Sequence, residues 1–196
     1  RGKAKGVLLT AIRTGEHAAL PRILEDADNG LTALAREFVA DLHEELCSLT
    51  KAVDDVDVRI ARLFKADPVC QRLADVEGVG PGTATALVAA GDAKAFRNGR
   101  QMAAWLGLVP RQHGSGGKNV LLGISKRGDT YLRTLLIHGA RAAVAAAKRK
   151  SDTRSRWINA LVARRGANVA AVALANKNAR VLWALMARGG EYRTAA

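Results

Sequence analysis

The sequence predicts a mainly α protein: a long helical arm followed by a helical domain carrying one short Gly-rich β-hairpin or loop. Three observations predict it. Apolar residues recur at steps of three and four from Leu31 to Leu63. Two later segments, Thr130–Lys148 and Asn168–Ala187, are Ala-rich with an apolar stripe. No internal repeat and no pattern of a large parallel sheet interrupts them.

Residues 1–18 are basic and weakly patterned and read as a linker or the tail of another element. Pro21–Leu24 predicts a short helix that Asn29-Gly30 breaks. The seam that follows runs through Leu31, Leu34, Phe38, Leu42, Leu46 and Leu49, then Val53, Val56, Ile60 and Leu63. Charged residues such as Glu37, Asp41, Asp54 and Arg59 occupy the other faces. A helix over Leu31–Lys65 would be about 52 Å long, too long and too exposed for the core of a small domain. It reads as a coiled-coil or helical-hairpin arm that dimerises; packing onto a neighbouring domain is the alternative.

Asp67-Pro68 restarts the chain as cap and first helical residue. A helix over Val69–Val76 leads to the turn Glu77-Gly78-Val79-Gly80, and Pro81 opens a helix over Gly82–Ala90. Asn98 caps a helix through Trp105, which Gly107 ends. Val109–Ile124 reads as a hairpin or irregular strand pair. Asp129 caps the helix Thr130–Lys148, Ser151–Ser155 is a polar loop, and a short helix over Arg156–Arg164 turns Trp157, Leu161 and Val162 to the core. The last helix ends at Gly189-Gly190. The domain reading is therefore linker or remnant over 1–30, arm over 31–66 and helical domain over 67–196.

Charge is divided unevenly. Residues 1–90 carry 11 Lys/Arg against 14 Asp/Glu; residues 91–196 carry 20 against 4. A polycation of that density points to nucleic acid, through phosphate neutralisation. No segment pairs a basic face with a Trp/Phe-rich one, which argues against a membrane surface. Cys47 and Cys70 lie in no metal-ligand cluster and read as reduced thiols of a cytosolic protein. No apolar run reaches membrane-spanning length and no signal peptide opens the chain. It begins at Arg1, as a fragment of something longer would. The aromatic residues form no regular stripe for stacking a single strand.

The chemistry concentrates in Arg111-Gln112-His113-Gly114-Ser115-Gly116-Gly117-Lys118 and in Ser125-Lys126-Arg127-Gly128. Glycines let backbone N–H groups approach an anion, and the cations suit phosphate. Ser115 is a candidate nucleophile or phosphate contact; a Gly-rich surface hairpin without chemistry is the bland reading. A serine hydroxyl needs a base or metal at neutral pH. His113, two residues away and on the same side of an extended segment, is a candidate base, or a phosphate or structural contact. Arg111, Lys118, Lys126, Arg127 and Arg133 are candidates for the charge that builds on phosphate oxygens. The turn around Gly78 and Gly80 resembles a helix-hairpin-helix motif, whose amides and second-helix N-terminus hold a DNA phosphate without reading bases. Its Glu77, where a cation would be expected, leaves a tight packing turn as the alternative.

Taken together, Glu77–Pro81, the run AWLGLVPRQH ending at His113, SGGK from Ser115, GISKRGDTYLRTLLIHGAR from Gly123 and VAAVALANK from Val169 resemble one family. It is the insertion-sequence transposases of the one-ten family, eleven-eleven branch, related to Piv-type DNA invertases. LEDADNGL from Leu24 fits as well, so the resemblance covers nearly the whole chain. It implies a RuvC-like half with four acidic residues binding Mg²⁺, a coiled-coil linker, and a domain with a nucleophilic serine, guided to DNA by an RNA. No strand-borne acidic tetrad precedes Leu31, so the chain matches the linker and serine module, with no cofactor of its own. Ser115 matches the family serine before glycine; Gly114 replaces the adjacent serine usual in this branch. The resemblance thus implies a DNA transposase or recombinase module, inactive without its RuvC-like half. It also implies DNA and guide RNA as partners, a homodimer or tetramer through the coiled coil, no membrane, and a bacterial, nucleoid-associated cytoplasmic setting. The alternative is a non-catalytic DNA- or RNA-binding and dimerisation module, or a decayed transposase.

Overall fold

A computed structural model describes residues 17–115 and 118–193. Among them are eight α-helices and one two-stranded antiparallel sheet, so the mainly α expectation holds. The chain divides into two compact units, one up to Arg59 and one from Ile60.

In the first unit, α1 (Leu20–Glu25) and a 3-10 turn (Ala27–Asn29) precede α2 (Ala33–Ala66), whose residues from Ile60 on belong to the second unit. Gly30 ends the turn at φ 69°, a left-handed conformation that glycine adopts without a Cβ penalty. Leu20 is buried against Ile23, Leu31 and Val39. The Arg36 guanidinium donates to the Asp26 carbonyl and to Asn29 Oδ1, both at 2.6 Å, fastening this turn to the start of α2. The 34 residues of α2 include no buried one. Leu34 is 76% exposed, and Phe38, Leu49, Val53 and Leu63 are similarly open. The apolar seam is present and mostly exposed, with Leu31, Leu46 and Ile60 half-buried.

The second unit is built on α8 (Ala167–Arg188). Its residues Ala170, Ala171, Leu174, Ala175, Ala179 and Leu182 are all 1% exposed or less. Such a wide stripe of small and apolar side chains lets several elements approach closely. Around it pack α3 (Pro68–Ala74), α5 (Gly99–Trp105), α6 (Thr130–Ala147) and α7 (Thr153–Arg165), while α4 (Pro81–Ala89) lies against α3 and α6. Trp183 Nε1 donates to the carbonyls of Ala93 and Phe96 at 3.0 and 3.1 Å, tying a 3-10 turn to α8.

Caps explain most helix starts. Asp67, Asn98 and Asp129 accept from the amides of Val69, Gln101 and Leu132 at 2.7–3.0 Å, as their positions predicted. One start differs: α7 begins at Thr153, not Arg156, because Asp152 caps it. Its carboxylate accepts from the Ser155 amide at 2.9 Å and the Ser155 hydroxyl at 2.6 Å. The expected polar loop at 151–155 is therefore partly helix. Ile158 and Ser155, not Trp157, face the core, and Trp157 stays 37% exposed.

The Ser155 bonds hold the Asp152 carboxyl below the ordinary value of 3.8. A depressed folded-state pKa stabilises above the unfolded value and is lost as pH falls through the folded one. Below pH ~4, thermal midpoints of wild type should therefore fall more steeply than those of Asp152→Asn. Parallel slopes in a pH series of melts would contradict this.

Candidate nucleic-acid site

Between Asp92 and Asp129 the sequence has seven Lys/Arg and no carboxylate. The hairpin rises in this stretch: β1 (Pro110–Ser115) pairs antiparallel with β2 (Lys118–Ile124). The pairs His113–Val120 and Ser115–Lys118 put positions 113, 115, 118 and 120 on one face of the ladder by period two. A register irregularity between Pro110 and Gln112 sets Arg111 opposite a bulge at Leu122-Gly123 of β2. Arg111 and His113 are exposed. Gly116 and Gly117 lie outside the described residues, and of Ser115 and Lys118 only the backbone is described.

The loop after β2 is stitched to the end of α5. Ser125 N donates to Val109 O at 2.8 Å and Lys126 N to Gly107 O at 3.2 Å. Gly107 and Gly128 have φ of 71° and 112°, and a Cβ at Gly128 would sit 1.7 Å from the Trp105 carbonyl oxygen. Lys126, at φ 54°, is left-handed without being glycine. This crossing holds Lys126 and Arg127 exposed at the hairpin base.

Arg133 does not join them. It is 8% exposed, and its guanidinium donates to Leu106 O at 3.2 Å and Thr130 Oγ1 at 3.1 Å, with longer contacts to the Gly128 and Asp129 carbonyls. Its charge braces the crossing from inside and is not offered to solvent. That contact spans 27 residues, so nothing local in the sequence announces it.

The turn between α3 and α4 packs against α6 and α8. Gly78 has φ 84°, and a Cβ there would come 2.6 Å from the Gly139 carbonyl oxygen of α6. Its smallness therefore serves packing. Gly80 caps α4, and a Cβ there would meet nothing within 4 Å, so the space beside this helix start is open. Glu77 does structural work. Its carboxylate pairs with Lys150 and lies 3.6 Å from Arg154 Nε, while its carbonyl accepts from Asn178 Nδ2 at 2.9 Å. Arg154 also donates to Asn178 Oδ1 at 2.6 Å and to the Tyr192 hydroxyl. Lys150, Arg154 and Asn178 were not picked out from the sequence; their separation of 73–101 residues from Glu77 hides them.

Transposases are among the known proteins that the chain resembles in sequence. Residues 70–156, which include the α3–α4 turn, the hairpin and the braced crossing, match the Transposase IS116/IS110/IS902 family. The chain is 52% identical over 182 residues to a protein of Pseudomonas aeruginosa named "Probable family 20 transposase", covering 92% of this chain and 54% of that protein. It is 48% identical over 178 residues to the transposase for insertion sequence element IS1111A of Coxiella burnetii, covering 90% and 49%. Against the transposase for insertion sequence element IS1328 of Yersinia enterocolitica it is 38% identical over 149 residues, covering 76% and 45%. The chain is thus similar to transposases of the IS116/IS110/IS902 family. It spans about half the length of the curated relatives it matches.

Proposed function

We propose that the chain is the serine-nucleophile part of a DNA transposase. In this reading Ser115 Oγ attacks a DNA phosphodiester. An Oγ–P bond forms, the P–O bond to the leaving strand breaks, and the serine proton passes to a base while the departing oxygen is reprotonated. The phosphoserine link conserves the bond energy for rejoining. His113 is the chain's own candidate for the base, as its partner on the same face of the hairpin. Arg111, Lys118, Lys126 and Arg127 counter charge on the phosphate, with the amides of Gly116 and Gly117 approaching it closely. Gly80 and the start of α4 hold a neighbouring phosphate in the manner of a helix-hairpin-helix. Arg133 and Gly78 act through the fold.

What supports this reading is one observation: the carboxylate-free, cationic hairpin with positions 113, 115 and 118 on a common face lies inside the family-matched segment. Among the described residues no group of three His, Cys, Asp or Glu could hold a metal ion. The Mg²⁺ would be held by the RuvC-like half, and no step above is routed through it. No described helix is long and apolar enough to cross a membrane. The exposed seam of α2 fits a coiled coil between copies, in a dimer or tetramer, and an element-encoded RNA would choose the target.

The test is covalent trapping. A matching RuvC-like half is fused ahead of Arg1, and guide RNA, Mg²⁺ and nicked target DNA are added. We expect a denaturation-resistant protein–DNA band that Ser115→Ala abolishes. A band that persists in that variant refutes the serine assignment. Gly114, standing where the branch usually has a serine, favours a second reading: a decayed, non-catalytic binding and dimerisation module. It predicts salt-sensitive DNA binding with no band under any condition.

A further inference from the structure

A cleft of about 780 Å³ opens between the base of the hairpin and α8. Three large apolar side chains left exposed in the second unit, Leu122 (45%), Trp157 (37%) and Val169 (51%), all line it. Leu108, Ile124 and Val172 continue its walls. Arg165, Lys177 and Arg180 stand in the same lining, which contains no Asp or Glu. Among the described residues none of these three cations has a carboxylate within 4 Å; Lys177 Nζ instead sits 4.5 Å from the centre of the Trp157 ring.

An apolar slot with an aromatic ring and unneutralised cations is complementary to a flat apolar group carrying negative charge at its edge. A phosphate ion or a duplex backbone would use the cations and leave the apolar walls wet. A peptide would need pairing for its backbone groups, which side chains such as Leu122 and Val169 do not supply. The volume lies within the range of small-ligand sites. We propose that this cleft binds an unpaired nucleotide of a DNA strand, with its base between Trp157 and the apolar walls and its phosphates on Arg165, Lys177 and Arg180. Deoxyribose suits it better than ribose. The polar side chains of the lining besides the cations are Asn168 and Asn176, and Asn176 Nδ2 is already spent on the Leu108 carbonyl at 3.1 Å. A 2′-hydroxyl, both donor and acceptor, would find little there. The proposal rests on the reading of the chain as DNA-binding but assigns a site separate from Ser115.

The test uses the 196-residue chain. An oligothymidine of about eight nucleotides, an RNA of equal length and a duplex are titrated while tryptophan fluorescence is followed. Single-stranded DNA should quench the emission and bind more tightly than RNA. Trp157→Ala should remove the quench and weaken single-strand binding about tenfold, the loss of one stacked base. Val169→Glu, at a half-exposed position, should weaken it similarly while far-ultraviolet circular dichroism stays native. Duplex binding should change less than about twofold in both variants. Unchanged single-strand affinity in both folded variants overturns the proposal, as do equal losses for duplex and single strand, or tighter binding of RNA. A change in sedimentation of either variant without any change in DNA affinity overturns it in favour of a protein occupant. If no form of DNA binds, the underlying reading fails as well; if duplex alone binds, only the cleft assignment fails.

Discussion

Gly139→Ala is expected to destabilise the helical unit by about 3 kcal/mol, a drop of roughly 10 °C in the thermal midpoint. An added Cβ would lie 1.8 Å from the Gly78 carbonyl oxygen and 2.8 Å from its carbon. Both are backbone atoms, so no rotamer relieves the overlap. The turn cannot move away cheaply either, because Asn178 and Arg154 hold the neighbouring Glu77. Gly80→Ala, two residues from Gly78, is the control. Its Cβ would meet nothing within 4 Å at a φ of −94° open to any residue, and the loss should stay below about 1 kcal/mol. Urea unfolding followed by circular dichroism distinguishes the two. Equal midpoints would show that α6 and the turn are not in the contact described.

Asn178→Ala is expected to cost a similar amount, about 3 kcal/mol, for a different reason. Asn178 is 0% exposed, and its amide is used at both ends, donating to Glu77 O at 2.9 Å and accepting from Arg154 at 2.6 Å. Truncation leaves a small void, a carbonyl with one bond fewer and a guanidinium whose Nε already lacks a hydrogen-bond acceptor. Arg154→Met combined with Asn178→Ala should be less harmful than the two separate losses added together, since they disable one network. Simple additivity in a double-mutant cycle would disprove the shared network. The turn at Glu77–Gly80 should also lose its fixed position, so any phosphate contact made there weakens with it.

Capping residues were readable because their work is local. Asp67, Asn98 and Asp129 each bond an amide two or three residues on, and the pattern of cap, apolar step and Pro or Gly stop lies within one window. Asp152 does the same but sits in a run of polar residues that looks like loop, so α7 is longer than its sequence implies. The candidate hairpin was legible from its glycines and cations. Arg133 was not separable from Arg127 by sequence, since only folding brings the Leu106 carbonyl to one and leaves the other in solvent. Glu77, an anomaly in a phosphate-binding turn, becomes intelligible once Lys150 and Arg154 arrive from α7 and the segment before it. Trp157 was placed in the core with Leu161 and Val162, but the inward stripe runs through Ser155, Ile158, Leu161 and Val162, and Trp157 lies at its edge, beside the cleft.

The 34 residues of α2 without a buried side chain have a consequence for dynamics. Helices of globular proteins draw most of their stability from a packed apolar face, and the seam from Leu34 to Val56 has none within its own unit beyond the Val39 contact. Its amide protons are then guarded by little more than the local helix–coil equilibrium, and opening there costs far less than opening α8. Deuterium would enter the middle of α2 within the earliest labelling times while the α8 core stays protected. Whatever covers the seam would be seen first as the slowing of that exchange.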